Sequence, residues 1–179
     1  MRLVVFDRTQ AGGGLAPGLS SIWRTGTRLY SWRRLCDASI GAASWAEAWN
    51  WLANVRLGEA IHEIQFWMHG LWGDARIGQD VFDRRSLRTG SETEQILRHI
   101  RRRLAPNALI WFRTCQTLGA EKGQRFARTL TETLGCRVAG YTYIIGWWQS
   151  GLHVLSPGQT PNWSSDEGIA QGGPDAPTQ

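Results

Sequence analysis

The stretch Ile61-His62-Glu63-Ile64-Gln65-Phe66-Trp67-Met68-His69-Gly70 sets Ile64, Phe66 and Met68 against Gln65, Trp67 and His69 in strict alternation until Gly70 interrupts it. A period of two in β-branched and aromatic residues predicts a buried strand over 61–69, with a polar residue at its carboxyl end. A second apolar run, Ala108-Leu109-Ile110-Trp111-Phe112-Arg113-Thr114, predicts a central strand that delivers Cys115 at its end. Between the two strands, Gly73-Asp74 and Gly78-Gln79 predict a short hairpin around Ala75-Arg76-Ile77.

Helices alternate with these strands. Ser44-Trp45-Ala46-Glu47 is a capping box opening a helix whose apolar face runs from Trp45 to Val55 and ends near Gly58. A second box, Ser91-Glu92-Thr93-Glu94, opens a helix with Ile96, Leu97, Ile100 and Leu104 on one face, stopped by Pro106. Its opposite face carries Arg98, Arg101, Arg102 and Arg103, read as solvated. A third helix is expected over Ala120–Leu134, where Phe126, Leu130 and Leu134 recur at spacing four before Gly135. Residues 1–6 predict the first strand, Ala11 to Ser20 a loop, and Cys136–Gly140 a further strand. Tyr141–Trp148 and Gly151–Leu155 predict a closing hairpin or edge pair. Alternation of this kind implies an α/β fold, a three-layer sandwich with a mostly parallel central sheet covered on both faces. The domain is expected over 1–163, with 164–179, rich in Gly, Pro, Asp, Gln and Ser, as a disordered tail.

Composition limits the function classes. At 179 residues the chain is long enough for one domain with a core that needs no disulfide or metal. Its apolar runs fall far short of the roughly 20 residues of a membrane span. Met1-Arg2-Leu3-Val4-Val5-Phe6-Asp7 lacks the apolar length of a secretory signal, so a cytoplasmic location is expected. Cys36, Cys115 and Cys136 fit neither a disulfide framework nor a metal site. No cofactor motif is present: no Gly-Lys-Ser/Thr and no GxGxxG follows the first strand. The net charge of +5, carried by 19 Arg and one Lys, is weak ground for nucleic acid, because no aromatics interleave the arginines of the 92–104 helix. Most of the eleven Trp lie in apolar periodic segments and are expected in the core.

In open α/β sheets ligands bind at the carboxyl ends of the strands, where His69 and Cys115 are expected together if a right-handed crossover makes their strands neighbours. An imidazole moves a proton near neutral pH, and a thiolate is a nucleophile. The N–H groups of Gly70 and Cys115 are the expected oxyanion donors. The alternative for Cys115 is a buried, inert thiol. His62, His99 and His153 are read as structural, and Cys36 and Cys136 as packing residues. His69-Gly70-Leu71-Trp72-Gly73 also has the look of an α/β-hydrolase oxyanion loop, but those enzymes need a GxSxG elbow that the chain lacks.

His69-Gly70 after one apolar strand and Cys115 after the next resemble the caspase-like, or clan CD, cysteine peptidases. The likeness is closest to small bacterial caspase-like domains of unknown function, in which a Gly-containing helix follows the cysteine, here Gly119-Ala120-Glu121-Lys122-Gly123-Gln124-Arg125-Phe126-Ala127. It covers about residues 61–145. The resemblance implies a caspase-like sandwich and a cysteine endopeptidase in which Cys115 forms a thioester acyl-enzyme with peptide or protein substrates and His69 is the general base and acid. It also implies assembly of the site by cleavage, by homodimerisation or by an activating partner. The alternative is a degenerate, non-catalytic interaction domain on the same fold. Where caspases carry Gln-Ala-Cys-Arg-Gly, this chain has Arg113-Thr114-Cys115-Gln116-Thr117. Arg113, two residues before Cys115 and so expected on the same side of the strand, takes the place of a pocket-lining Gln. Arg113 and Asp74 are the expected substrate-contacting residues. An unpaired Arg113 implies cleavage after Asp or Glu; neutralisation by Asp74, Asp80 or another acid would leave the pocket to basic or neutral side chains.

Overall fold

The computed structural model describes residues 1–10, 18–145 and 151–171. The sheet begins with β1 (Arg2–Asp7) and continues through β2 (Ala38–Ala42), β3 (Ile61–Trp67), β7 (Leu104–Arg113), β8 (Arg137–Tyr141) and β9 (Leu152–Leu155). Between β3 and β7 lie β4 (His69–Leu71), β5 (Asp74–Ile77) and β6 (Asp80–Asp83), which form a separate three-stranded antiparallel sheet. The main sheet has the order β2-β1-β3-β7-β8-β9, parallel except for antiparallel β9. The helices are α1 (Leu19–Trp32), α2 (Trp45–Asn54), α3 (Glu92–Arg101) and α4 (Ala120–Leu134), with a short 3-10 turn at Arg84–Leu87. The fold is α/β with a mostly parallel sheet.

The main core lies on one face of the sheet. Ile64, Phe66 and Met68, and Ile110 and Phe112, point into it against Trp45, Trp49 and Leu52 of α2, Leu97 and Ile100 of α3, and Phe126 and Leu130 of α4. The other face packs a smaller cluster of Val4, Phe6, Cys36 and Trp67 against Trp23 and Tyr30 of α1. The alternation along 64–69 thus separates two cores. The serine caps form, the Ser44 hydroxyl accepting the Glu47 N–H and the Ser91 hydroxyl that of Glu94, but the expected boxes do not close on the caps: the Glu47 and Glu94 carboxylates accept the N–H groups of Ala43 and Gly90, one residue earlier. Gly135, at φ +64°, closes α4 in the left-handed conformation.

Several expectations need correction. Helix α1 and strand β2 occupy a region given no regular structure by the sequence. Of the expected loop at 11–20, residues 11–17 lie outside the described residues and Leu19 already begins α1. The inner face of α1 is Ser20, Trp23, Thr27 and Tyr30, a helical spacing half made of polar residues, so apolar periodicity does not reveal it. Gly26 is part of that face because a Cβ there would stand 2.9 Å from the Trp67 ring. Helix α2 stops at Asn54, short of Gly58. Helix α3 ends at Arg101, and β7 starts at Leu104, so Pro106 sits inside a strand. The register steps from Ile61↔Leu104 to Glu63↔Leu109, and this bulge, with Asn107 at φ +60°, tolerates a proline that lacks a ladder donor.

The closing pair is β8 with β9; the expected strand at Tyr141–Trp148 has only Tyr141 in it, and 146–150 lie outside the described residues. Residues 164–171, expected to be disordered, instead form turns. They are held by main-chain acceptors, Glu167 O for the Ala120 N–H at 3.0 Å and Gly168 O for Gln116 Nε2 at 3.0 Å. Residues 172–179 lie outside the described residues.

Candidate active site

Strands β3 and β7 are neighbours and parallel, in a register that ends on Trp67↔Arg113. Two residues further along each chain come His69 and Cys115, so both stand at the carboxyl edge of the sheet. The structure ends β3 at Trp67 and makes His69 the first residue of the β4 hairpin strand, rather than the last residue of a central strand. The imidazole stays on the α1 side, in edge contact with the Trp23 ring at 5.9 Å between centroids. It lines an open cleft of about 330 Å³ whose walls come from the hairpin, with Gly70, Arg76 and Gly78 among them.

The hairpin is fastened to the cysteine loop. A Cβ on Gly70 would stand 3.0 Å from Cys115 O, 3.0 Å from Asp74 O and inside the Thr117 hydroxyl, so only glycine fits between His69 and the loop. Thr117 Oγ1 donates to Asp74 O at 2.8 Å, which makes Thr114 Oγ1 the donor in the 2.5 Å contact between the two threonines. The Gly73 N–H donates to Thr117 O at 2.9 Å. Directly after Cys115, Gln116 adopts φ +52°, a conformation rare for a residue with a side chain. Its N–H donates to Tyr143 O, and the Leu118 N–H to Tyr141 O, so the loop is stitched to the end of β8.

Cys115 is half-buried, whereas Cys36 and Cys136 are buried. Its sulfur accepts the Ile145 N–H at 3.4 Å, and its own N–H makes no hydrogen bond among the described residues. Gly70 lies in the β4–β5 ladder opposite Ala75. Burial pushes the Cys136 thiol up to about 12 and raises that of Cys36 as well, so neither is a ready nucleophile.

Asp74 organises the hairpin. Its carboxylate accepts the Leu71 N–H at 2.9 Å and a two-pronged contact from Arg76 at 3.1 and 2.7 Å. Asp80 accepts the Trp45 N–H at 2.8 Å. Neither acid pairs with Arg113. That guanidinium donates to the Tyr30 hydroxyl at 2.6 Å and to Gln65 Oε1 at 3.4 Å, and lies 5.0 Å from the ring centroids of both Trp67 and Trp111. No carboxylate forms an ion pair with it among the described residues.

Two features around the site escaped the sequence. Asp7, at the end of β1, is buried, and its carboxylate accepts the Gly78 N–H at 3.0 Å, both the N–H and the hydroxyl of Thr9 at 2.7 Å, and Gln10 Nε2 at 3.1 Å. Burial alone would raise this carboxyl; the donors outweigh it, and the group is held below its ordinary value. A folded value below the unfolded one means that Asp7 stabilises the fold above about pH 4, and that this contribution disappears as pH falls through the lower folded value. Asp7→Asn should therefore lie well below wild type in urea midpoint at pH 7, with the gap narrowing below about pH 4. A gap independent of pH would contradict this role.

The second feature is the C-terminal segment. Glu167 accepts from Thr142 at 2.8 Å and meets His153 Nε2 at 2.7 Å, while Trp163 stacks on His153 and donates to Leu118 O at 3.0 Å. Burial raises the Glu167 carboxyl, but these partners bring it below the usual carboxylate range. The segment's polar composition hides this, because its contacts are long-range hydrogen bonds.

This is an α/β protein whose parallel sheet presents an imidazole and a thiol at the ends of adjacent strands. Residues 43–153, more than half of the chain, match the family described as Domain of unknown function (DUF4347), and the chain belongs to that family. The match runs from the residue before the α2 cap into β9. Among curated proteins none matches the chain. Among the described residues no group of His, Cys, Asp and Glu is disposed to hold a metal ion, and no helix is long and apolar enough to cross a membrane.

Proposed function

We propose that the protein is a caspase-like cysteine endopeptidase with a His69–Cys115 dyad. The observation that carries the reading is the parallel pairing of β3 with β7, which brings His69-Gly70 and Cys115 to one edge with Gly70 against the cysteine carbonyl. His69 takes the thiol proton as the Cys115 sulfur attacks the scissile carbonyl, and returns it to the leaving amine as the thioester forms. Water, deprotonated by the same imidazole, then hydrolyses the thioester. The Cys115 N–H, without an acceptor among the described residues, is available to the oxyanion, with Gly70 as the second donor.

Arg113 supplies the selectivity. Its partners are a phenol, an amide and aromatic rings, all neutral, so its charge is uncompensated by any acid among the described residues. A half-buried fork of N–H donors in that state favours a carboxylate side chain before the scissile bond. Profiling with a peptide library should give cleavage after Asp or Glu, and Arg113→Gln should reduce that preference by about tenfold or more. Cleavage after Lys or Arg that survives Arg113→Gln would contradict the role of Arg113. Absence of any cleavage by the folded protein would favour the non-catalytic interaction domain.

A further inference from the structure

Away from the sheet edge, the 3-10 turn and the amino-terminal half of α4 face each other across two adjoining clefts of about 450 and 440 Å³ that share Arg84 and Arg125. One wall carries Arg84, Arg85 and Arg88; the other carries Lys122, Arg125 and Arg128. All six side chains are exposed, and all but Arg125 lack an ion pair among the described residues. The carboxylates lining the clefts are already engaged. Asp74 holds Arg76, Asp83 caps the 3-10 turn through the N–H groups of Arg85 and Ser86, and Glu121 pairs with Arg125. The six cations outnumber the three carboxylates of the lining, and an excess of positive charge faces both sides of a trough.

We infer that this trough is a docking site for an acidic peptide segment, one with several Asp or Glu residues in extended conformation. The cations of α4 recur every three residues, spreading over about 9 Å of helix axis. An extended chain presents same-side carboxylates about 7 Å apart, so consecutive acids can meet cations on either wall. Arginine forks suit carboxylates, and the volume suits a short peptide. Single-stranded nucleic acid fits less well, because among the described residues Trp72 is the one aromatic lining either cleft and a stacking ladder needs several. The inference does not depend on the peptidase reading, since docking requires no cleavage.

The test is fluorescence anisotropy of a fluorescein-labelled octaglutamate peptide with Cys115→Ala protein, which excludes turnover of the probe. Saturable binding should weaken as salt rises, and should fall about tenfold or more in the combined Arg84→Glu, Arg88→Glu, Lys122→Glu variant. The same three positions changed to Gln should show a smaller loss. Arg24→Glu, Arg28→Glu, Arg33→Glu, an equal change of charge on and beside α1, should bind nearly as well as the parent. Absence of saturable binding would overturn the assignment, as would an equal loss in the α1 variant. Tighter binding of a labelled oligothymidine, lost in the trough variant, would overturn it in favour of nucleic acid.

Discussion

Cys115→Ala should reduce peptide cleavage by about a thousandfold or more, and His69→Ala should cost nearly as much, because a nucleophile and its base act as a unit. The double variant should be little worse than either single one. Both side chains lie in the hairpin and loop that follow paired strands, outside the two hydrophobic clusters, so their loss should leave the fold intact. Gly70→Ala provides a geometric counterpart. Its Cβ would meet the Cys115 and Asp74 carbonyls, so the hairpin must move off the cysteine loop, and activity should fall although no reacting group has changed. Activity of Cys115→Ala equal to that of wild type would assign the cleavage to another residue.

Trp49→Ala should destabilise the protein by about 3–5 kcal/mol, a large part of the 5–15 kcal/mol that holds a domain of this size. Trp49 stacks on Trp45 at 4.8 Å between centroids, and both rings pack against Phe66 and Phe82. Removing the indole leaves a cavity among rigid aromatic neighbours that cannot collapse to fill it. Trp49→Phe should cost far less, since it keeps a ring and removes a buried indole N–H that has no hydrogen-bond partner among the described residues. Urea unfolding at constant m-value measures both variants. A loss below about 1 kcal/mol for Trp49→Ala would mean that α2 does not hold the sheet.

Legibility followed physical kind. Strand β3 was readable because its alternation separates two apolar environments, β7 because it is a run of apolar β-formers, and α4 because Phe126, Leu130 and Leu134 share a face and Gly135 ends it. Ser44 and Ser91 marked the starts of α2 and α3 to the residue, though not their ends. From these elements came the pairing of the strands that precede His69 and Cys115. Helix α1 stayed hidden because Ser20 and Thr27 serve as inward residues and Gly26 replaces a side chain with the Trp67 ring. The C-terminal turns were equally opaque, since Glu167 and Gly168 act through a carboxylate and main-chain carbonyls that no local pattern announces. The surroundings of Arg113 depended on α1, so they could not be read before that helix was known.

The dyad is tested most directly by the rate at which iodoacetamide carboxamidomethylates each cysteine of the folded protein at pH 7, followed by mass spectrometry of the three cysteine peptides. Cys115 should react at least about tenfold faster than Cys36 and Cys136, whose thiols are raised by burial, and His69→Ala should slow Cys115 alone. Equal labelling of all three cysteines, or a Cys115 rate untouched by His69→Ala, would contradict a thiol activated by His69.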